Sequence, residues 1–244
     1  MPRITKLIAA LPLLVGCSKT LDPQLYPSAE SLFAASMEAY RAGDCGLARQ
    51  GFQRLVFELP GQDERQASVR YYLGECMLQG NEPLEAARQF RRVADEYPRH
   101  TLAPDGLLRA GDAYAQLWDD AELDPTYGET ALATYGELVG RYPTSAAAGR
   151  ARLRIAGLNE MFAEKGYKSG VFYYRLKAFD SAIIYFRNVA ADYPASAFAA
   201  LSVVKLIETY DRIGYVEERD EMCVYLRQYY PGTEGVEDQC SRGA

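Results

Sequence analysis

Few residues in this chain could do covalent or acid–base chemistry. There is one histidine, His100, two residues after Pro98, with no cysteine or aspartate implied as its partner. An imidazole without an orienting group reads as a surface or capping residue rather than a general base. Asp119, Asp120, Glu122 and Asp124 form an acidic run, but their spacing is not that of a calcium loop, so they read as a solvated insertion. No G-x-x-x-x-G-K-[ST], H-E-x-x-H or G-x-S-x-G pattern occurs. The expectation is a chain that is not an enzyme and uses no metal or cofactor. What remains is sulfur, at Cys17, Cys45, Cys76, Cys223 and Cys240.

Cys17 has the most informative surroundings. Arg3 and Lys6 precede a nine-residue apolar run, Leu7 to Val15, which is too short to cross a bilayer. Leu14-Val15-Gly16-Cys17 closes it and resembles the lipobox of bacterial lipoproteins. The resemblance implies cleavage before Cys17 and use of its thiol as the nucleophile that takes a diacylglycerol. Acyl chains then anchor the protein, each buried CH₂ contributing about 0.8 kcal/mol. Ser18 follows, where the enteric sorting rule has aspartate for inner-membrane retention, so the outer membrane is expected. Residues 1–17 are thus the leader, 18–28 a tether, 29–231 the folded part and 232–244 a tail.

The other four cysteines either pair or fill small spaces as buried thiols. Cys45 opens the second helix of one hairpin and Cys76 lies late in the first helix of the next, so antiparallel packing brings them near each other. Cys223 with Cys240 is placed to pin the tail.

The elements that position these residues follow from a repeat. An aromatic or apolar run ending in proline recurs at Pro60, Pro98, Pro143, Pro194 and Pro231, in steps of 38, 45, 51 and 37 residues. Before each lies a helix-period pattern, such as Ala86, Ala87, Phe90, Val93 and Ala94, which the proline ends. The second unit is similar to the tetratricopeptide repeat of about 34 residues, with Leu73-Gly74, Ala86, Phe90 and Pro98 in register. The first keeps Ala35-Ser36, Ala48, Phe52, Leu55 and Pro60. The third keeps Ala110, Gly111, Tyr114, Ala131, Tyr135 and Pro143, with an insertion from Asp119 to Tyr127. The fourth keeps Gly170, Tyr173, Ala182, Phe186, Val189 and Pro194, and Ser145 to Asn159 prolong its first helix. The fifth keeps Tyr210, Gly214, Leu226 and Pro231 but has Arg219 where alanine is usual. The expected fold is all-α, a right-handed α-solenoid of five helical hairpins with a concave face.

Composition agrees with a folded chain, at 48% hydrophobic and 25% charged. The net charge is −6. Losing Arg3 and Lys6 with the leader takes it to about −8, which disfavours nucleic acid as a partner.

A lipobox before five such repeats resembles the BamD family, the outer-membrane lipoprotein of the β-barrel assembly machinery. The inserted third repeat, the prolonged helix and Phe172-Tyr173-Tyr174-Arg175 are part of the likeness. It implies a non-catalytic scaffold on the periplasmic face of the outer membrane. Its partners would be the barrel-assembly protein, accessory subunits and unfolded outer-membrane proteins, and it would touch the membrane through acylated Cys17. The rival reading is a repeat-containing adaptor lipoprotein for cell-wall synthesis or envelope integrity. Those usually carry a coiled-coil segment first, and no heptads precede Ser28.

Groove-facing positions of the first helices supply the peptide-binding candidates: Phe33, Met37, Tyr40, Arg41, Tyr71, Glu75, Leu78, Leu108 and Asp112. Apolar anchors with a few charges suit an extended peptide; the alternative is that they pack under neighbouring helices. Tyr174, Arg175, Glu208, Asp211 and Arg212 are the candidate subunit contacts, on the expectation that they are exposed.

Overall fold

Each helix begins and ends where local chemistry dictates. Ser28 accepts from the Ser31 backbone N–H, and Ser31 reciprocates, a capping box that opens α1 (Ala29–Arg41). Asp44 caps α2 (Cys45–Glu58), Ser145 caps α7 (Ala146–Arg175) and Ser196 caps α9 (Ala197–Ile213). Between these lie α3 (Arg65–Gln79), α4 (Pro83–Glu96), α5 (Ala103–Ala115), α6 (Thr126–Arg141) and α8 (Phe179–Asp192), with α10 (Val216–Tyr229) last. Gly214 ends α9 with φ at 79°, in the left-handed region that a side chain would strain. The computed structural model describes residues 25–233 and Cys240. The leader, Cys17, Ser18, most of the tether and most of the tail lie outside the described residues.

The helices pair as five antiparallel hairpins in chain order. Small residues on the first helix admit the large residue of the second. A Cβ built on Gly74 would come within 2.8 Å of the Phe90 ring, and one on Gly170 within 2.5 Å of Phe186. Tyr135 fills the same role against Gly111. Glycine costs a helix about 1 kcal/mol, and burial of a whole aromatic ring, worth about 1.5–3 kcal/mol, offsets it.

Successive hairpins are also tied at their proline turns. The Tyr97 hydroxyl donates to the Gly61 carbonyl at 2.6 Å, Tyr142 to Pro98 at 2.9 Å and Tyr230 to Pro194 at 3.0 Å. Tyr193 departs from this series: its ring stacks on Phe162 of α7, 6.4 Å away. The recurring Tyr-Pro phrase therefore serves twice, once to stop a helix and once to hold the preceding turn.

The odd-numbered helices touch one another in succession, α1 to α3, α5, α7 and α9. The even-numbered helices stand further apart: among the described residues α4 and α6 are linked through long side chains, Arg91 with Glu137 and Arg141 with Asp95. The odd helices are therefore crowded on the inner, concave side, and the solenoid opens outward on the even side.

Two expectations are refined. Ser145 to Arg175 contains one unbroken helix of 30 residues, so the extra segment and the first helix of the fourth hairpin are continuous. The acidic insertion has exposed side chains at Asp119, Asp120, Glu122 and Asp124, but its backbone is clamped. Lys165 of α7 donates to the carbonyls of Ala121, Glu122 and Leu123, at 3.1, 3.4 and 2.7 Å. Trp118, buried beneath the insertion, lies against Gly128 and against Phe162, 4.4 Å from that ring.

Cys223 and Cys240 are joined by a disulfide, which brings Cys240 against α10. The bridge considered between Cys45 and Cys76 is not formed: both are free thiols, within the same apolar cluster. Arg219, in the alanine position of the fifth hairpin, is buried and donates to Asp211 at 3.2 Å and Asp220 at 2.7 Å. Its charge is held by carboxylates rather than removed, which is how a guanidinium is accommodated there.

Candidate functional site

The concave side of the first three hairpins is built from aromatic rings on α1 and α3 and charges on α3, α5 and α7. Tyr40 lies 4.9 Å from Tyr72, and Tyr71 meets Tyr72 edge-on at 5.5 Å and Phe90 at 5.4 Å. Offset and edge contacts of this kind hold rings rigid while leaving one side open. Both Tyr40 and Tyr71 are half-buried, and burial, then Glu75, raises the hydroxyl pKa of each. They stay neutral at physiological pH.

Beside the rings runs a chain of charges. Arg109 grips Glu75 with Nε at 2.5 Å and Nη2 at 3.0 Å, and reaches Asp112 at 3.4 Å. Asp112 also accepts from the Tyr135 hydroxyl at 2.7 Å and from Arg154 Nε at 3.2 Å. Burial works against the Arg109 charge, but Glu75 and Asp112 outweigh it and its pKa is raised. Burial and then Asp112 raise that of Tyr135. A cavity of about 570 Å³ opens here, walled by Glu75, Leu78, Arg109, Asp112, Tyr135 and Arg154.

The structure sorts the expected peptide residues. Tyr40, Tyr71, Glu75, Leu78 and Asp112 come together on this face. Phe33 is half-buried against the first core cluster and Arg41 is exposed at the end of α1. Met37 and Leu108 are corrections: at 9% and 4% exposure they belong to the core, because the helices meet closely enough to cover them. Arg109, Tyr135 and Arg154 were not expected. A signal for Arg109 existed, since it lies one helical turn before Asp112 with opposite charge. Arg154 comes from the prolonged part of α7, whose facing the repeat pattern does not set.

A second cleft of about 950 Å³ borders α7, with Lys168, Phe172, Tyr173, Tyr174, Arg175 and Lys205 in its wall. Tyr173 stacks on Tyr185 at 5.3 Å, and Phe172 is 57% exposed. Tyr174 has Lys205 Nζ at 5.5 Å and Arg212 Cζ at 5.4 Å over its ring. Such cation–π contacts fix the ring and orient both cations. Of the expected subunit contacts, Tyr174 and Arg175 line this cleft and Arg212 adjoins it. Glu208 and Asp211 are engaged within the chain, by Lys205 at 2.6 Å and Arg219 at 3.2 Å, so they are not free charges. Phe172, Tyr173 and Tyr185 were missed as site residues. They read as ordinary helix-face aromatics until α8 is packed on α7.

His100 caps its own turn, its Nδ1 accepting from the Leu102 N–H at 3.1 Å. Among the described residues no three His, Cys, Asp or Glu side chains converge as for a metal, and no helix is long and apolar enough to cross a membrane. What these surfaces can do is bind: rigid rings for burial and paired charges for register.

Comparison with known proteins agrees with this architecture. The family model YfiO, described as outer membrane lipoprotein, matches residues 26–224. The outer membrane protein assembly factor BamD of Caulobacter vibrioides is 25% identical over 203 residues, 83% of this chain and 66% of that protein. The assembly factor BamD of Xylella fastidiosa is 24% identical over 226 residues, 86% of this chain and 76% of that one. The chain therefore spans just under two thirds of the first relative's length. In fold it is similar to a tetratricopeptide-repeat protein from Bacteroides fragilis, with a TM-score of 0.53 at 12% identity, covering 89% of this chain and 98% of the other.

Proposed function

The chain belongs to the YfiO family of outer membrane lipoproteins, and from that premise we propose that it is a non-catalytic scaffold of the machinery that assembles β-barrels in the outer membrane. The observation that carries the reading is the extent of the family match, which runs from Tyr26 into α10 and so takes in every hairpin and both clefts. Two relatives named as outer membrane protein assembly factors align over most of the chain.

In this reading Cys17 is acylated after the leader is cut, and the tether holds the solenoid at the periplasmic face of the outer membrane. The concave face with Tyr40, Tyr71, Leu78, Arg109 and Arg154 takes extended segments of unfolded outer-membrane proteins. The cleft along α7 takes a partner subunit, with the barrel-assembly protein as the first candidate. Packing pre-forms the rings and charges of both clefts, so the ordering cost of binding falls mainly on the partner segment.

Affinity capture of the full-length lipoprotein from detergent-solubilised outer membrane tests the proposal. Co-isolation of the barrel-assembly protein is expected. Recovery of cell-wall synthesis enzymes without it would reverse the assignment in favour of an envelope adaptor.

A further inference from the structure

Cys45 and Cys76 are used neither by the disulfide at the tail nor by the anchor. Cys45 is the first residue of α2 and is half-buried; Cys76 lies in the last turn of α3 and is buried. An ion pair ties the start of α2 to the end of α3. Arg49, one turn into α2, gives two guanidinium nitrogens to the carboxylate of Glu82, just beyond α3, at 2.5 and 2.8 Å. Nearby, Tyr40 of α1 packs on Tyr72 of α3, the ring centroids 4.9 Å apart. Both thiols belong to the apolar cluster of the first two hairpins, and Cys45 is among the neighbours that raise the Cys76 pKa.

We propose that Cys45 and Cys76 form a redox-modifiable dithiol, which a disulfide-donating co-reactant closes into a covalent staple between the first and second hairpins. The same chain already carries one disulfide, so it matures where thiols are oxidised. The chemistry is thiol–disulfide exchange. The Cys45 thiolate attacks one sulfur of the donor disulfide; that S–S bond breaks and the first donor thiolate leaves. Cys76 then gives up its proton to solvent and attacks the Cys45 sulfur of the mixed disulfide, expelling the second donor thiolate. Two protein thiols are oxidised and one donor disulfide is reduced to two thiols.

The environments of the two sulfurs set this order. Burial pushes the Cys76 thiol well up, so it stays protonated and shielded from the donor. Cys45, half-exposed at a helix start, is the sulfur that a donor can reach. Closure ties α2 to α3 beside Tyr40, Tyr72 and Glu75, and so fixes the angle between the first two hairpins. The inference stands independently of the proposed function.

The test uses the full-length protein with the Cys223–Cys240 bridge intact, oxidised glutathione as donor, and alkylation with peptide mass mapping as readout. With the protein unfolded but not reduced for the readout, both thiols are expected to alkylate beforehand. After equilibration neither alkylates, and a linked peptide pair lighter by two hydrogens appears and is reversed by mild reductant. The melting midpoint is expected to rise by roughly 5–10 °C. Cys76→Ser is expected to stop at a glutathione adduct on Cys45. A wild-type adduct that persists on Cys45 while Cys76 still alkylates would overturn the proposal, as would two thiols that never react.

Discussion

Arg109 on α5 holds both carboxylate oxygens of Glu75 on α3, Nε at 2.5 Å and Nη2 at 3.0 Å, so one fork joins the second hairpin to the third. Glu75 is 18% exposed and Arg109 31%. Removing one partner leaves the other poorly solvated. Glu75→Gln should destabilise the fold by about 1–3 kcal/mol. Glu75→Gln with Arg109→Met should cost less than the sum of the single changes. A double-mutant cycle by urea unfolding measures the coupling; strict additivity would mean the pair is idle.

The ring pair at the groove entrance gives a binding prediction. Tyr40→Ala together with Tyr71→Ala should weaken binding of a C-terminal outer-membrane-protein peptide by about tenfold or more. Both rings also pack on Tyr72, so stability falls as well, and unfolding curves must be recorded beside the titration. Unchanged affinity in a folded double variant would place the peptide elsewhere.

Gly128 is required by Trp118. A Cβ at that position would overlap the indole ring, which is only 1% exposed and has nowhere to retreat. Gly128→Ala should therefore cost about 1–3 kcal/mol through overpacking, despite the better helix propensity of alanine. A raised melting midpoint would show that the ring can move.

Lys165 should matter for local order more than for global stability. Its ammonium satisfies three carbonyls of the insertion. Lys165→Met should speed amide exchange around residues 119–124 by about tenfold while the core helices keep their protection. Equal rates in both proteins would mean that Trp118 alone holds the insertion.

Glu137 gives the stability a pH dependence. Burial pushes its carboxyl up, but Arg141 and Arg91 outweigh that and hold it below the ordinary value of 4.5. A depressed native pKa stabilises above the unfolded value and is lost as pH falls through the native one. Wild-type melting should therefore drop as pH falls below 4.5. Glu137→Gln should melt lower at neutral pH, and its gap to wild type should close in acid. A gap that is constant with pH would remove the ion pairs with Arg91 and Arg141 from the account.

The sequence by itself determined the repeat. Proline after an aromatic stops each helix, and glycine opposite phenylalanine or tyrosine demands close pairing, so Gly74 with Phe90 and Gly170 with Phe186 could be read without coordinates. It also determined the rings on the concave side, because groove positions recur with the repeat. Tertiary structure alone decided which of those positions are open. Met37 and Leu108 share the period of Tyr71 and Leu78, yet neighbouring helices cover them. Nor did the period reveal Arg154 at Asp112, the Lys165 clamp, or the roles of Glu208 and Asp211 as internal partners. Periodicity fixes the face of a helix that a side chain leaves from. What it meets depends on the angle and distance of the next helix, and that is set by packing across the chain.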